Sequence, residues 1–131
     1  MDPHADSVSG RTAEESLDRI ADCLKGAERV VLLSHVNPDG DALGSMVALT
    51  LALRGLGKRV QALCPQEPPE KFQSLFVPGA LEVELGSRPE GSVDVCALLD
   101  AGEPERCGRF RDFLVAGPHR RLCVDHLSLI H

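Results

Sequence analysis

Three apolar runs in this chain each end directly in residues able to bind a cation or move a proton. His35, Asp39 and Asp41 follow the run Arg29-Val30-Val31-Leu32-Leu33-Ser34, Asp100 follows Val93 to Leu99, and Asp125 with His126 follows Arg121 to Val124. Each residue alone has a plain structural explanation. An Asp after a strand commonly caps the next helix, which Asp41 could do by itself, and a single His at a strand end is ordinarily a hydrogen-bonded surface group. The recurrence at three run ends is what favours a shared site. Carboxylates with imidazole and no suitably placed thiolate suit Mn2+, Mg2+ or Fe2+ better than a structural zinc. The candidate ligands outnumber what one catalytic ion with open positions would use. Two ions roughly 3.5–4 Å apart, sharing one carboxylate, fit better; such a pair activates a water and steadies phosphoryl oxygens during in-line displacement. Asp100 is the expected bridge, because it comes from a different run than the His35 group.

The elements that must position these residues alternate along the chain. Thr12 with Glu15 forms a capping box for a helix that carries Ile20 and Leu24 and ends at Gly26. The run from Arg29 to Ser34 reads as a strand buried on both faces, as in parallel sheets. Val36 to Asp41 is dense in turn formers, and a largely buried helix is expected from about Leu43 to Leu56, with Thr50 and Arg54 as its polar stripe. A strand from Lys58 to Leu63 follows, then a Pro-rich connector, a short helix around Glu70 to Leu75 and a turn at Pro78-Gly79. Further strands are expected at Leu81 to Leu85, Val93 to Leu99 and Arg121 to Val124, with one helix from Pro104 to about Leu114. This order implies βαβ units and an α/β fold with a doubly wound, mostly parallel sheet flanked by helices. In such sheets ligands bind beyond the carboxyl ends of the strands.

Composition narrows the field. A length of 131 residues suits one domain, with residues 1–11 as a loose tail. The formal charge of −6 provides no global basic field for nucleic acid, although bound cations can dominate a local field. Aromatic residues at 3% argue against base-stacking platforms. Arg106, Arg109, Arg111, Arg120 and Arg121 form a local basic group that reads mainly as solvated surface, with one or two free to face phosphate. Five cysteines without a C-x-x-C pair read as reduced structural thiols. No segment approaches the ~18 apolar residues of a membrane span, so the expectation is a soluble, cytoplasmic chain. There is no G-x-G-x-x-G or P-loop sequence to suggest a nucleotide switch.

The stretch Ser34-His35-Val36-Asn37-Pro38-Asp39-Gly40-Asp41-Ala42-Leu43-Gly44-Ser45 resembles the first motif of the DHH phosphoesterase superfamily. Leu98-Leu99-Asp100, with Arg106 and Gly108 following, resembles the second, and Val124-Asp125-His126 resembles the start of the motif that names the superfamily. The wording of the first motif is most similar to the branch of oligoribonucleases that also dephosphorylate 3′-phosphoadenosine 5′-phosphate. That resemblance implies two Mn2+ ions, one on His35 and Asp39 and one on Asp41 and His126, joined by Asp100, with Asp125 as an orienting carboxylate. The implied substrates are short RNA, cut at a phosphodiester, or a phosphorylated nucleotide, cut at its 3′-phosphate; a homo-oligomer is compatible with it.

Leu127 stands where the motif has a second His, which in relatives contacts the substrate phosphate. The resemblance therefore implies the N-terminal part of a DHH domain over residues 12–131, without the substrate-recognition (DHHA1) domain. Rival readings are a metal-binding remnant without turnover and a cyclic-dinucleotide phosphodiesterase of the same superfamily. The lack of a membrane segment disfavours the membrane-bound form of the latter.

Overall fold

The structure, a computed structural model, describes residues 5–6, 13–72, 85–86, 88–117 and 119–124. Its strands are β1 (Ala5–Asp6), β2 (Arg29–Leu33), β3 (Arg59–Leu63), β4 (Leu85–Gly86), β5 (Val95–Leu99) and β6 (Arg120–Val124). Its α-helices are α1 (Ala13–Lys25), α2 (Gly40–Gly55) and α3 (Arg111–Ala116), and a 3-10 segment spans Pro104–Phe110. The described strands form one sheet in the order β1-β6-β5-β2-β3-β4, and every pairing is parallel.

Strands fully buried on both faces need apolar residues at every position, not alternate ones. β5 meets that demand along its whole length, and β2 does so from Val30 to Leu33. Successive side chains go to opposite faces. Val30 and Leu32 join Cys23 and Leu24 of α1 and Met46, Val47 and Leu53 of α2 in one core layer. Val31 and Leu33 join Cys107, Phe110 and Leu114, from the 3-10 segment and α3, in the other. Helices on both faces of a parallel sheet make the fold doubly wound, as the order of elements implied.

Four details depart from the sequence reading. Helix α2 starts at Gly40, not near Leu43, because Asp39 caps it: Asp39 Oδ1 accepts from the Ala42 N–H at 2.9 Å. Thr50 is no part of a polar stripe; it is fully buried, and its hydroxyl donates to the Met46 carbonyl at 2.7 Å, which satisfies it inside the core. Leu51 and Leu56 face outward instead. An almost uniformly apolar helix has no periodicity to say which face turns inward, so this could not be read from residue types.

The expected helix from Pro104 to Leu114 is broken in two at Gly108, whose φ of 57° no helix allows. A Cβ there would stand 2.9 Å from Val36 Cγ1 and 3.3 Å from Pro65 Cβ, so the bare glycine lets this segment press against the loop after β2. β3 and β5 begin one and two residues later than read, at Arg59 and Val95, and β6 begins one residue earlier, at Arg120. Residues 70–72 make a 3-10 turn, while the rest of the expected Glu70–Leu75 helix, the Pro78-Gly79 turn, most of the Leu81–Leu85 strand and the capping Thr12 lie outside the described residues. No disulfide joins the five cysteines.

Candidate metal centre

The strand order reverses between β2 and β5. The connection from β2 runs through α2 on one face to β3, and the connection from β5 runs over the other face to β6. Such a switch point opens a crevice beyond the carboxyl ends of the two central strands. His35 lies just past the end of β2, and Asp100 directly follows β5, so the topology sets them across this crevice.

The His35 ring is buried, with 5% of the residue exposed. Its Nδ1 lies 2.6 Å from the Val36 carbonyl oxygen. A carbonyl can only accept, so Nδ1 carries the hydrogen and a neutral ring keeps its lone pair on Nε2. That Nε2 faces Asp100 Oδ2 at 3.8 Å. A lone pair aimed at a carboxylate oxygen is repulsive unless a cation or a proton lies between them. One of His35 Nδ1/Nε2 and one carboxylate oxygen each from Asp39 and Asp100 lie within 4.8 Å of one another. Around one octahedral ion with ligands at about 2.1 Å, neighbouring donors stand about 3 Å apart and opposite donors about 4 Å. The spacing of the three groups suits a single cation, and their hard oxygen and imidazole donors suit Mn2+ or a similar ion.

Local backbone geometry holds each candidate ligand. Asp100 adopts a left-handed conformation, φ 60°, which Asp tolerates better than most residues. Its N–H donates to the Val124 carbonyl at 2.6 Å, tying the end of β5 to the end of β6. Asp39 uses Oδ1 for the helix cap, and its charge sits at the positive end of α2. Val36 N–H donates to the Arg106 carbonyl at 2.6 Å, and the Ser34 hydroxyl donates to the His35 carbonyl and to Cys64 Sγ. Asn37, at φ 52°, accepts from Gln66 Nε2 at 3.2 Å. None of these supports was foreseen; Gly108 and Arg106 carried a signal only through the motif wording, and the Val36 carbonyl carried none.

Of the sequence candidates, the structure brings together His35, Asp39 and Asp100. Asp41 is exposed on the first turn of α2, outside that group. Asp125 and His126 lie outside the described residues. Among the arginines, Arg111 pairs on the surface with Glu105 and Asp112, and Arg121 donates to the Val115 carbonyl. Arg109 donates to the Pro65 carbonyl and lies over the Phe110 ring, and Arg120 stands at the far, amino-terminal end of β6. Arg106 is exposed beside the His35 loop. Burial holds Cys96 far above the usual thiol range and pushes Cys107 up to about 11, so both stay protonated and unsuited to binding metal.

No protein-family model matches the chain. It is 34% identical over 93 residues to the bifunctional oligoribonuclease and PAP phosphatase NrnA of Thermus thermophilus. That alignment spans 70% of this chain and 28% of the relative. The structure superposes on the crystal structure of an exopolyphosphatase-related protein from Bacteroides fragilis with a TM-score of 0.72 and 28% identity, over 86% of this chain and 35% of that one. Both likenesses support a member of the DHH superfamily, and this chain spans about a third or less of the length of either protein. The fold matches the α/β form of that family. In this chain the crevice between β2 and β5 gathers His35, Asp39 and Asp100. No helix among the described residues is long and apolar enough to cross a membrane.

Proposed function

We propose that this chain carries the metal-binding half of a Mn2+-dependent phosphoesterase that hydrolyses short oligoribonucleotides, a nucleotide 3′-phosphate, or both. The observation that carries the reading is the buried His35 Nε2 facing Asp100 Oδ2 across 3.8 Å, with Asp39 within reach of both. A chain of net charge −6 that gathers carboxylates at one crevice would repel a phosphodiester. A bound divalent cation supplies the opposite field, an acidified water and charge neutralisation at phosphoryl oxygens.

The chain's own residues would then have distinct tasks. His35, fixed in one tautomer by the Val36 carbonyl, presents Nε2 and cannot rotate away. Asp39 is steadied by its cap, and Asp100, with Asp41 and His126, would hold a second ion, as the resemblance implies. Asp125 would be the orienting carboxylate that the resemblance implies. Exposed Arg106, anchored by its backbone to the same loop, is the candidate to hold a phosphate oxygen.

The test is hydrolysis of a di- or trinucleotide RNA and of 3′-phosphoadenosine 5′-phosphate by the purified chain with Mn2+. Release of mononucleotide or phosphate that vanishes in Asp100→Asn supports the reading. A second reading, cation binding without turnover, is favoured by Leu127 at the position where the motif has His. Tight Mn2+ binding with neither substrate consumed would establish that second reading and refute the first.

A further inference from the structure

At the opposite edge of the sheet from the metal centre lies a second constellation. Arg29 and Arg59 open the adjacent parallel strands β2 and β3 and are register partners, so their side chains leave the same face of the sheet side by side. They line a cleft of about 230 Å³ together with Val31, Gln61 and the segment from Glu90 to Val93. The far wall is held in place: Gln61 Oε1 accepts from the Glu90 N–H at 2.8 Å, and Gln61 Nε2 reaches the Arg88 carbonyl at 3.5 Å. Gly91, at φ 68°, has no side chain, and a Cβ there would stand 2.7 Å from Arg29 Nη1. The Arg29 guanidinium therefore lies against that wall, inside the cleft.

Like charges directly opposite on neighbouring strands are destabilising. Among the described residues, neither guanidinium has a carboxylate within 4.0 Å. Asp94 lies near Arg29, but its Oδ2 is engaged by the N–H groups of Glu28 and Arg29. Glu90 is the acid that lines the cleft itself, while the Asp94 carboxylate, which feels the Arg29 charge, is not among the groups lining it. Paired, planar donor forks on a rigid sheet, beside a fixed loop, match the oxygens of a tetrahedral anion.

We propose that Arg29 and Arg59 form a binding site for a small phosphate-type oxyanion, either inorganic phosphate or the phosphate of a mononucleotide. The site lies about 20 Å from the metal centre, the length of β2 and the residues leading to His35. It is therefore separate from the place where a phosphate ester would be cleaved, and it does not rest on the proposed activity.

The experiment is a titration of the isotope-labelled chain with inorganic phosphate, and separately with adenosine 5′-monophosphate, at constant ionic strength and with EDTA present. Amide signals of Gln61, Glu90, Gly91 and Ser92 should shift and saturate. Arg59→Gln should abolish the shifts, Arg59→Lys should weaken binding about tenfold by losing the fork, and Asp100→Asn should leave it unchanged. Arg59 is exposed, so Arg59→Gln should keep the remaining spectrum, which checks the fold. Tighter binding of the nucleotide would identify a nucleotide phosphate as the ligand, and equal binding would identify the free anion. Shifts that never saturate, that chloride reproduces, or that persist in Arg59→Gln would overturn the proposal.

Discussion

Asp100→Asn is the sharpest perturbation of the metal centre, because it removes one charge and little else. Asn tolerates the left-handed backbone at φ 60° at least as well as Asp, so the end of β5 should keep its shape. The lost term is the attraction between one carboxylate charge and a divalent cation. Taking the 3.8 Å separation of Asp100 Oδ2 and His35 Nε2 as the length scale gives about 2 kcal/mol with the dielectric of water and about 9 with a value near 20. The Asp100 side chain retains 14% exposure at the mouth of the crevice, and solvent screens it, so the lower figure is the safer minimum. About 2 kcal/mol corresponds to Mn2+ binding weakened roughly 30-fold or more.

The assay is thermal unfolding against Mn2+ concentration. Ions at a hundred times their dissociation constant stabilise a folded chain by about 2.7 kcal/mol, which for a domain of this size is on the order of 10 °C. The native chain should gain that increment, while Asp100→Asn should gain little at the same concentration. Without metal the order should reverse or level, since the variant removes the repulsion between Asp100 and the His35 lone pair. Equal stabilisation of both proteins by Mn2+ would refute the assignment of Asp100.

Asp39 combines two roles that substitution can separate. Asp39→Asn keeps a good helix cap and should lose Mn2+ affinity with little change in metal-free stability, whereas Asp39→Ala should also lose about 1 kcal/mol of metal-free stability in denaturant unfolding. Gly108→Ala should destabilise the chain by about 1–2 kcal/mol, from the positive φ and the contact with Val36, and should weaken Mn2+ binding by displacing the His35 loop. Asp94 has its carboxyl held below the ordinary 3.8 by backbone N–H groups of Arg29 and Glu28 and by the Arg29 charge. A lowered folded value means stability present above pH 3.8 and lost as pH falls through the folded value. Asp94→Asn should therefore be less stable than the native chain at neutral pH, and the gap should close in acid unfolding below pH 3.8.

Much of the chain was legible before any coordinate. The unbroken apolar runs of β2 and β5 can only be strands buried on both faces, and strands of that kind alternating with helices lead to a parallel sheet. Carboxylate and imidazole at their carboxyl ends then point to the rim where such sheets bind ligands. Choices among chemically similar options were not legible. Asp39 and Asp41 are the same residue type two positions apart, yet one caps α2 beside the crevice and the other faces solvent on the first turn. Thr50 looked like surface, but its hydroxyl finds the Met46 carbonyl and goes inside.

Residue types and their order were enough to specify a doubly wound α/β chain and a short roster of candidate cation ligands, because burial demand and strand polarity are local properties; the DHH resemblance came from the motif wording. Which ligands meet was decided only in three dimensions. The pairing of β2 with β5, the left-handed turn at Asp100 and the Val36 carbonyl that sets the His35 tautomer are contacts between segments far apart or between backbone atoms. Backbone groups carry no residue label, and strand neighbours are chosen by packing of the whole sheet. Neither can be read from side-chain chemistry along the chain.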